Sequence, residues 1–110
     1  MSSSEYVVIY VTVPNREVGL KIAKELVKSG LVACVNIVPN ITSVYMWKGK
    51  VEIDSEELMI MKTRKELLKD VERVVKELHP YEVPEVIATE LVWGSEEYLK
   101  WVDEVVKGSK

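Results

Sequence analysis

The sequence has no phenylalanine, no glutamine, one cysteine and one histidine in 110 residues. Each scarcity removes a class of protein. With Cys34 alone there is no internal disulfide and no zinc site built on cysteine pairs, and such usage suits a reducing cytoplasm. With His79 alone, one chain offers one strong nitrogen ligand where stable metal sites use three or four. The longest apolar run, Tyr6 to Val11, falls far short of the ~20 residues of a membrane span, so no membrane partner is expected. Met1-Ser2-Ser3-Ser4-Glu5 lacks a basic stretch followed by an apolar one, so no secretory signal is expected and the expected location is cytoplasmic. The formal net charge is -3, with basic and acidic residues interleaved, so there is no basic stripe for nucleic acid. Phosphate-cradling Gly-rich loops, HExxH and GxSxG are absent, as is any visible base–nucleophile pair. The chain therefore reads as a non-enzyme.

What is present is a well-solvated globular composition, 47% hydrophobic and 30% charged, enough for one core. A single domain is expected over residues 5–106, with residues 1–4 and 107–110 as flexible termini. Tyr6 to Val13 is β-branched and aromatic throughout, a strand apolar on both faces. Pro14 stops it, Asn15 can cap a helix, and Val18, Ile22, Ala23, Leu26 and Val27 form its apolar stripe up to Gly30. Leu31 to Val38 reads as a second strand, bent at Pro39-Asn40 and continued by Ile41 to Trp47. Lys48-Gly49-Lys50 is a hairpin tip, and Val51-Glu52-Ile53 returns with one wet face. Asp54 to Glu57 reads as a bulge or short break before the apolar Leu58 to Met61.

Thr63-Arg64-Lys65-Glu66 has the pattern of a capping box opening a helix with Leu67, Leu68, Val71, Val74, Val75 and Leu78 inward. Val86 to Trp93 is a last strand, and Gly94-Ser95 opens a terminal helix with Tyr98, Trp101, Val102 and Val105 on one side. The order βαββαβ followed by α predicts the α+β, ferredoxin-like antiparallel sheet. Right-handed crossovers put both long helices on one face of it. Several strands are apolar on the other face too. At about 25 cal/mol per Å² of apolar area, leaving that face wet forgoes several kcal/mol, so a homo-oligomer is expected.

Few residues offer chemistry. His79 lies in Leu78-His79-Pro80-Tyr81-Glu82-Val83-Pro84-Glu85, a connector stiffened by two prolines. With Glu82 and Glu85 it forms a candidate divalent-metal site; the plainer alternative is a helix-terminal histidine facing water. Cys34 reads as a buried small hydrophobe or, with Tyr45, Trp47, Lys62 and Tyr81, as part of a ligand or interface cleft. Lys62-Thr63-Arg64 offers two cations at a strand end, an anion cradle or solvated charges.

Five motifs in order carry a resemblance: Leu31-Val32-Ala33-Cys34-Val35-Asn36, Ser43 to Lys50, Met61-Lys62-Thr63, His79 to Glu85, and Tyr98-Leu99-Lys100-Trp101. Together they resemble the CutA divalent-cation tolerance family over about Glu5 to Val106. The resemblance implies a compact homotrimer of ferredoxin-like subunits, similar in architecture to the PII signalling proteins. It also implies a cytoplasmic role in tolerance of copper and other divalent metals, with no established reaction and no required cofactor beyond a weakly bound divalent metal such as copper. A PII-like signalling or scaffold trimer with a small ligand in its inter-subunit clefts is the alternative. The copper site proposed for bacterial members uses a first-strand cysteine and two adjacent histidines; here those positions hold Val11, Leu78 and His79.

Asparagine is confined to Asn15, Asn36 and Asn40, and Glu and Lys dominate the charge. Thermophile proteins lean this way. Thermal unfolding followed by circular dichroism should show a midpoint above the roughly 45–65 °C of mesophile domains; a midpoint inside that range overturns the reading.

Overall fold

The computed structural model describes residues 5–107. Four strands form one antiparallel sheet in the order β2-β3-β1-β4, with β1 Tyr6–Val13, β2 Cys34–Trp47, β3 Lys50–Arg64 and β4 Val86–Glu90. Helices α1 (Arg16–Lys28) and α2 (Leu68–Leu78) form the two crossovers, and α3 (Glu96–Val105) follows the last strand. This is the expected α+β arrangement. The expected termini at residues 1–4 and 108–110 lie outside the described residues. Lys107 is described, and its N–H donates to the Gly30 carbonyl at 2.8 Å.

Strand β1 explains the core. Alternate residues Val7, Ile9, Val11 and Val13 are fully buried with Ile22 and Leu26 of α1 and Val71 and Val75 of α2, while Val8 and Tyr10 on the other face are half-buried. Asn15 caps α1, its side chain accepting from the Val18 N–H at 2.9 Å. Gly19 lets that helix lie close on the sheet: a Cβ there would meet the Val13 side chain at 3.2 Å and Ile37 at 3.6 Å.

The expected bend at Pro39-Asn40 lies within one continuous β2, while several other boundaries differ from the sequence expectation. Val38 faces Leu58 and Ile41 faces Glu56, so two residues of β2 oppose Glu57 alone. This is a β-bulge, with Asn40 at φ 58° taking up the strain. Asp54 to Glu57 is likewise uninterrupted strand, because each residue has a partner across the ladder or faces the bulge. Leu31, Val32 and Ala33 are buried but precede β2, and β4 ends at Glu90.

Thr63 makes no capping box. It lies within β3, buried, and its hydroxyl donates to the Leu31 carbonyl at 2.7 Å. A short 3-10 turn, Lys65–Leu67, leads into α2 without a side-chain cap. A carbonyl left over at the α1–β2 loop made a better partner for Thr63 than the helix start. On α3 the inward residues are Leu99 and Val102, with Val106 just beyond, leaving Tyr98, Trp101 and Val105 partly exposed. Tyr6 and Arg64 draw that helix in, because both bond Asp103: the Tyr6 hydroxyl donates at 2.9 Å and Arg64 Nη1 at 2.6 Å.

Strand β1 pairs with β3 only from Glu57 to Arg64. Beyond that, among the described residues, β2 and β3 pair only with each other, from Ile41↔Glu56 to Trp47↔Lys50. They form a two-stranded arm closed by Lys48 (φ 50°) and Gly49 (φ 80°), the left-handed pair of a type I′ turn. The arm gives the molecule its 45 × 25 × 22 Å extents. On one of its faces Val44, Met46, Val51 and Ile53 are 63–68% exposed. The face carrying Val51 and Ile53 is thus wetter than Glu52, the reverse of the sequence expectation for that return strand.

Replacing Thr63 by Val should cost about 1–3 kcal/mol, since a buried carbonyl loses its donor. Glu66→Ala, at an exposed position, should change stability by less than about 0.5 kcal/mol. Chemical denaturation of both variants checks the pair. Equal effects would restore the capping-box reading.

Candidate functional site

A cavity of about 600 Å³ opens where the arm leaves the sheet. Its walls come from the end of β1, the arm strands and the connector between α2 and β4, with Tyr45, Trp47, Glu56, Tyr81, Glu82 and Glu85 as its principal side chains. Pro80 and Pro84 stiffen that connector, and His79 pins it. The His79 Nε2–H donates to the Thr12 carbonyl of β1 at 2.8 Å, and Nδ1 accepts from the Tyr81 N–H at 3.1 Å. Both ring nitrogens are engaged and the residue is buried. His79 therefore does not face water, and it cannot ligate a metal without giving up one of these bonds.

The Tyr81 ring leans on the His79 imidazole with centroids 4.6 Å apart, and its hydroxyl donates to Glu56 Oε2 at 2.9 Å. Across the mouth, Tyr45 donates to Asp54. Lys48 of the turn lies over the Trp47 ring, 5.7 Å from its centroid. Glu82 and Glu85 are exposed and make no hydrogen bond or ion pair among the described residues. Two phenols stay protonated far into the alkaline range. The hydrogen bond to the Asp54 carboxylate pushes Tyr45 up to about 12. Burial, followed by the hydrogen bond to Glu56, raises Tyr81 further.

The structure brings together Tyr45, Trp47, Tyr81, Glu82 and Glu85 of the residues singled out in the sequence. It leaves out Cys34 and Lys62, which face each other at the opposite end of the β2–β3 ladder. Cys34 is nine residues from Ser43, about 30 Å of extended strand. There Cys34 Sγ lies 3.9 Å from Asn36 Oδ1, to which Lys62 also donates. Burial and then the nearby thiol raise the Tyr98 phenol. The proposed anion cradle is engaged as well, with Arg64 bonded to Asp103 and, at 3.2 Å, to Glu5. Sequence reasoning missed Glu56 and Asp54, taken as part of a polar break. Only the parity of an unbroken β3 places Glu56 toward the connector.

An α+β domain with an acidic, aromatic cavity at the root of a hairpin arm is the class these features define. The CutA1 divalent ion tolerance protein family model matches residues 7–105. The chain belongs to that family. It is 56% identical over 96 residues to the chloroplastic protein CutA of Arabidopsis thaliana, covering 87% of this chain and 53% of that protein. It is 47% identical over 97 residues to the divalent-cation tolerance protein CutA of Thermus thermophilus, covering 88% and 94%. The crystal structure of CutA1 from Oryza sativa superimposes with a TM-score of 0.92 at 47% identity, over 97% of this chain and 99% of that one. The chain spans about half the length of the Arabidopsis and mouse relatives it matches and nearly all of the Thermus one.

Alkaline titration of tyrosinate absorbance should show Tyr45 ionising near pH 12 and Tyr81 later still, and Asp54→Ala should return Tyr45 toward 10. Both phenols have folded values above their unfolded ones. Their contribution to stability is therefore complete below about pH 10 and fades as pH rises through each folded value. All five tyrosines ionising together near pH 10 would contradict the two pairings.

Proposed function

We propose that this chain acts in divalent-cation tolerance as a cytoplasmic homotrimer that binds metal ions without catalysing a reaction. Membership of the CutA1 family carries this reading, together with the divalent-cation tolerance name of its Thermus relative. The arm supports an assembly. A two-stranded hairpin is marginal by itself in water, and the exposed Val44, Met46, Val51 and Ile53 are accounted for when it clasps another copy. The single free cysteine supports a reducing compartment, although the Arabidopsis relative is named chloroplastic. No helix among the described residues is long and apolar enough to cross a membrane.

The residues do not fit a copper site of the bacterial cysteine–histidine kind. Val11 is fully buried on the core face of β1, Leu78 is apolar, and both His79 nitrogens are engaged. Among the described residues no three His, Cys, Asp or Glu side chains converge on one point. Divalent ions in this reading bind weakly at the unpaired carboxylates Glu82 and Glu85, with His79 holding the connector that presents them.

Calorimetric titration of Cu(II) should give similar binding for wild type and His79→Gln and a clear loss for Glu82→Gln/Glu85→Gln. Loss in His79→Gln alone, with the fold intact, would return the metal to the imidazole. Sedimentation should find three chain masses; a stable 12.6 kDa species at micromolar concentration would overturn the assembly.

A further inference from the structure

The cavity at the root of the arm has walls of two kinds. Tyr45, Trp47 and Tyr81 supply aromatic surface, and Glu56, Glu82 and Glu85 supply carboxylates, with no cationic side chain in the lining. Glu56 is the least ordinary of them. It is only 5% exposed, yet it has no ion-pair partner among the described residues. Its Oε2 accepts from Tyr81, and its Oε1 makes no hydrogen bond among the described residues. A buried carboxylate with one phenol for company has lost much of its hydration without gaining a counter-charge, so the site favours an arriving cation.

The form of that cation follows from the spacing. A metal ion needs several donors within about 2.0–2.6 Å of a single point. No such group of side chains exists among the described residues. Instead the carboxylates are distributed around a cavity of about 600 Å³, inside the roughly 300–1,000 Å³ range of small-molecule pockets. Separated charges with flat aromatic surface between them suit a longer cation that carries charge at more than one place. Ammonium groups gain from both carboxylate oxygens and ring faces, and methylenes gain from the rings.

We infer that this cavity is a binding site for an aliphatic di- or polyamine, with one ammonium donating to Glu56 Oε1 and a second between Glu82 and Glu85. The chain between them lies along Tyr45, Trp47 and Tyr81. This goes beyond the metal-tolerance reading: the two share Glu82 and Glu85, but the inner anchor is a carboxylate that reading leaves unused.

Spermidine titrated into the assembled protein, followed by calorimetry and tryptophan fluorescence, is the test. Saturable one-site binding per chain is expected, and Glu56→Gln should weaken it about tenfold or more through loss of a charge-assisted bond. Because a change at a buried residue can disturb the fold, Glu82→Gln/Glu85→Gln provides a second variant at exposed positions and should also weaken binding. Glu52→Gln, on the arm outside the cavity lining, should leave it unchanged. Binding that is lost equally in Glu52→Gln, or that MgCl₂ of matched ionic strength abolishes, would show only attraction to net negative charge and overturn the site. No binding by the wild type overturns it too. Cu(II) binding without spermidine binding defeats this inference alone, and the converse result defeats the metal reading alone.

Discussion

Strand β3 has fifteen residues and the central strand β1 has eight, and that mismatch shapes the rest of the molecule. Where β1 runs alongside, the sheet is wide enough to carry two helices and bury an aliphatic core at near-zero exposure. Where β1 stops, β2 and β3 continue as a pair with no third strand beside them among the described residues. The bulge at Pro39-Asn40 falls at this junction. It lets the ladder change twist as it leaves the support of the sheet. An arm of this kind leaves apolar side chains such as Val44, Met46, Val51 and Ile53 exposed on the single chain.

The connector after α2 meets the arm at its root. Two prolines restrict it, but stiffness alone does not aim a chain; the His79 bond to the Thr12 carbonyl does. Tyr81 then reaches Glu56 on the last residue of β3 before the sheet proper, and the cavity lies between these contacts. The only histidine in the protein thus supports the geometry of an acidic, aromatic recess whose outer carboxylates are free to meet cations. Val11 and Leu78 put aliphatic groups where a sulfur–nitrogen set would need two of its donors, so the ionisable groups of this recess are oxygens.

Much of the fold was legible in local pattern. The β-branched run of β1, the Asn15 cap and the apolar stripes of α1 and α2 each specify their element by short-range physics. The failures have a common cause. Thr63 looked like a cap because its neighbours in sequence fit the motif, but a carbonyl of Leu31, 32 residues away, was the partner it found. Asp54 to Glu57 looked like a break because four polar residues seldom form a buried strand; here one face of that stretch turns to the connector. Cys34 and Lys62 belonged to a recognisable motif and still lie at the far end of the ladder from Tyr45 and Trp47.

By itself the sequence determined the element order, the apolar faces of β1, α1 and α2, and the family, because these rest on residue types at fixed spacings. It also placed Tyr45, Trp47, Tyr81, Glu82 and Glu85 among the residues to watch. Only the tertiary structure decided that His79 is engaged on both nitrogens and that Glu56 is buried against the Tyr81 hydroxyl. Those facts depend on strands and a connector distant in sequence meeting at one point. Hydrogen bonds across such distances leave no periodic trace in the chain.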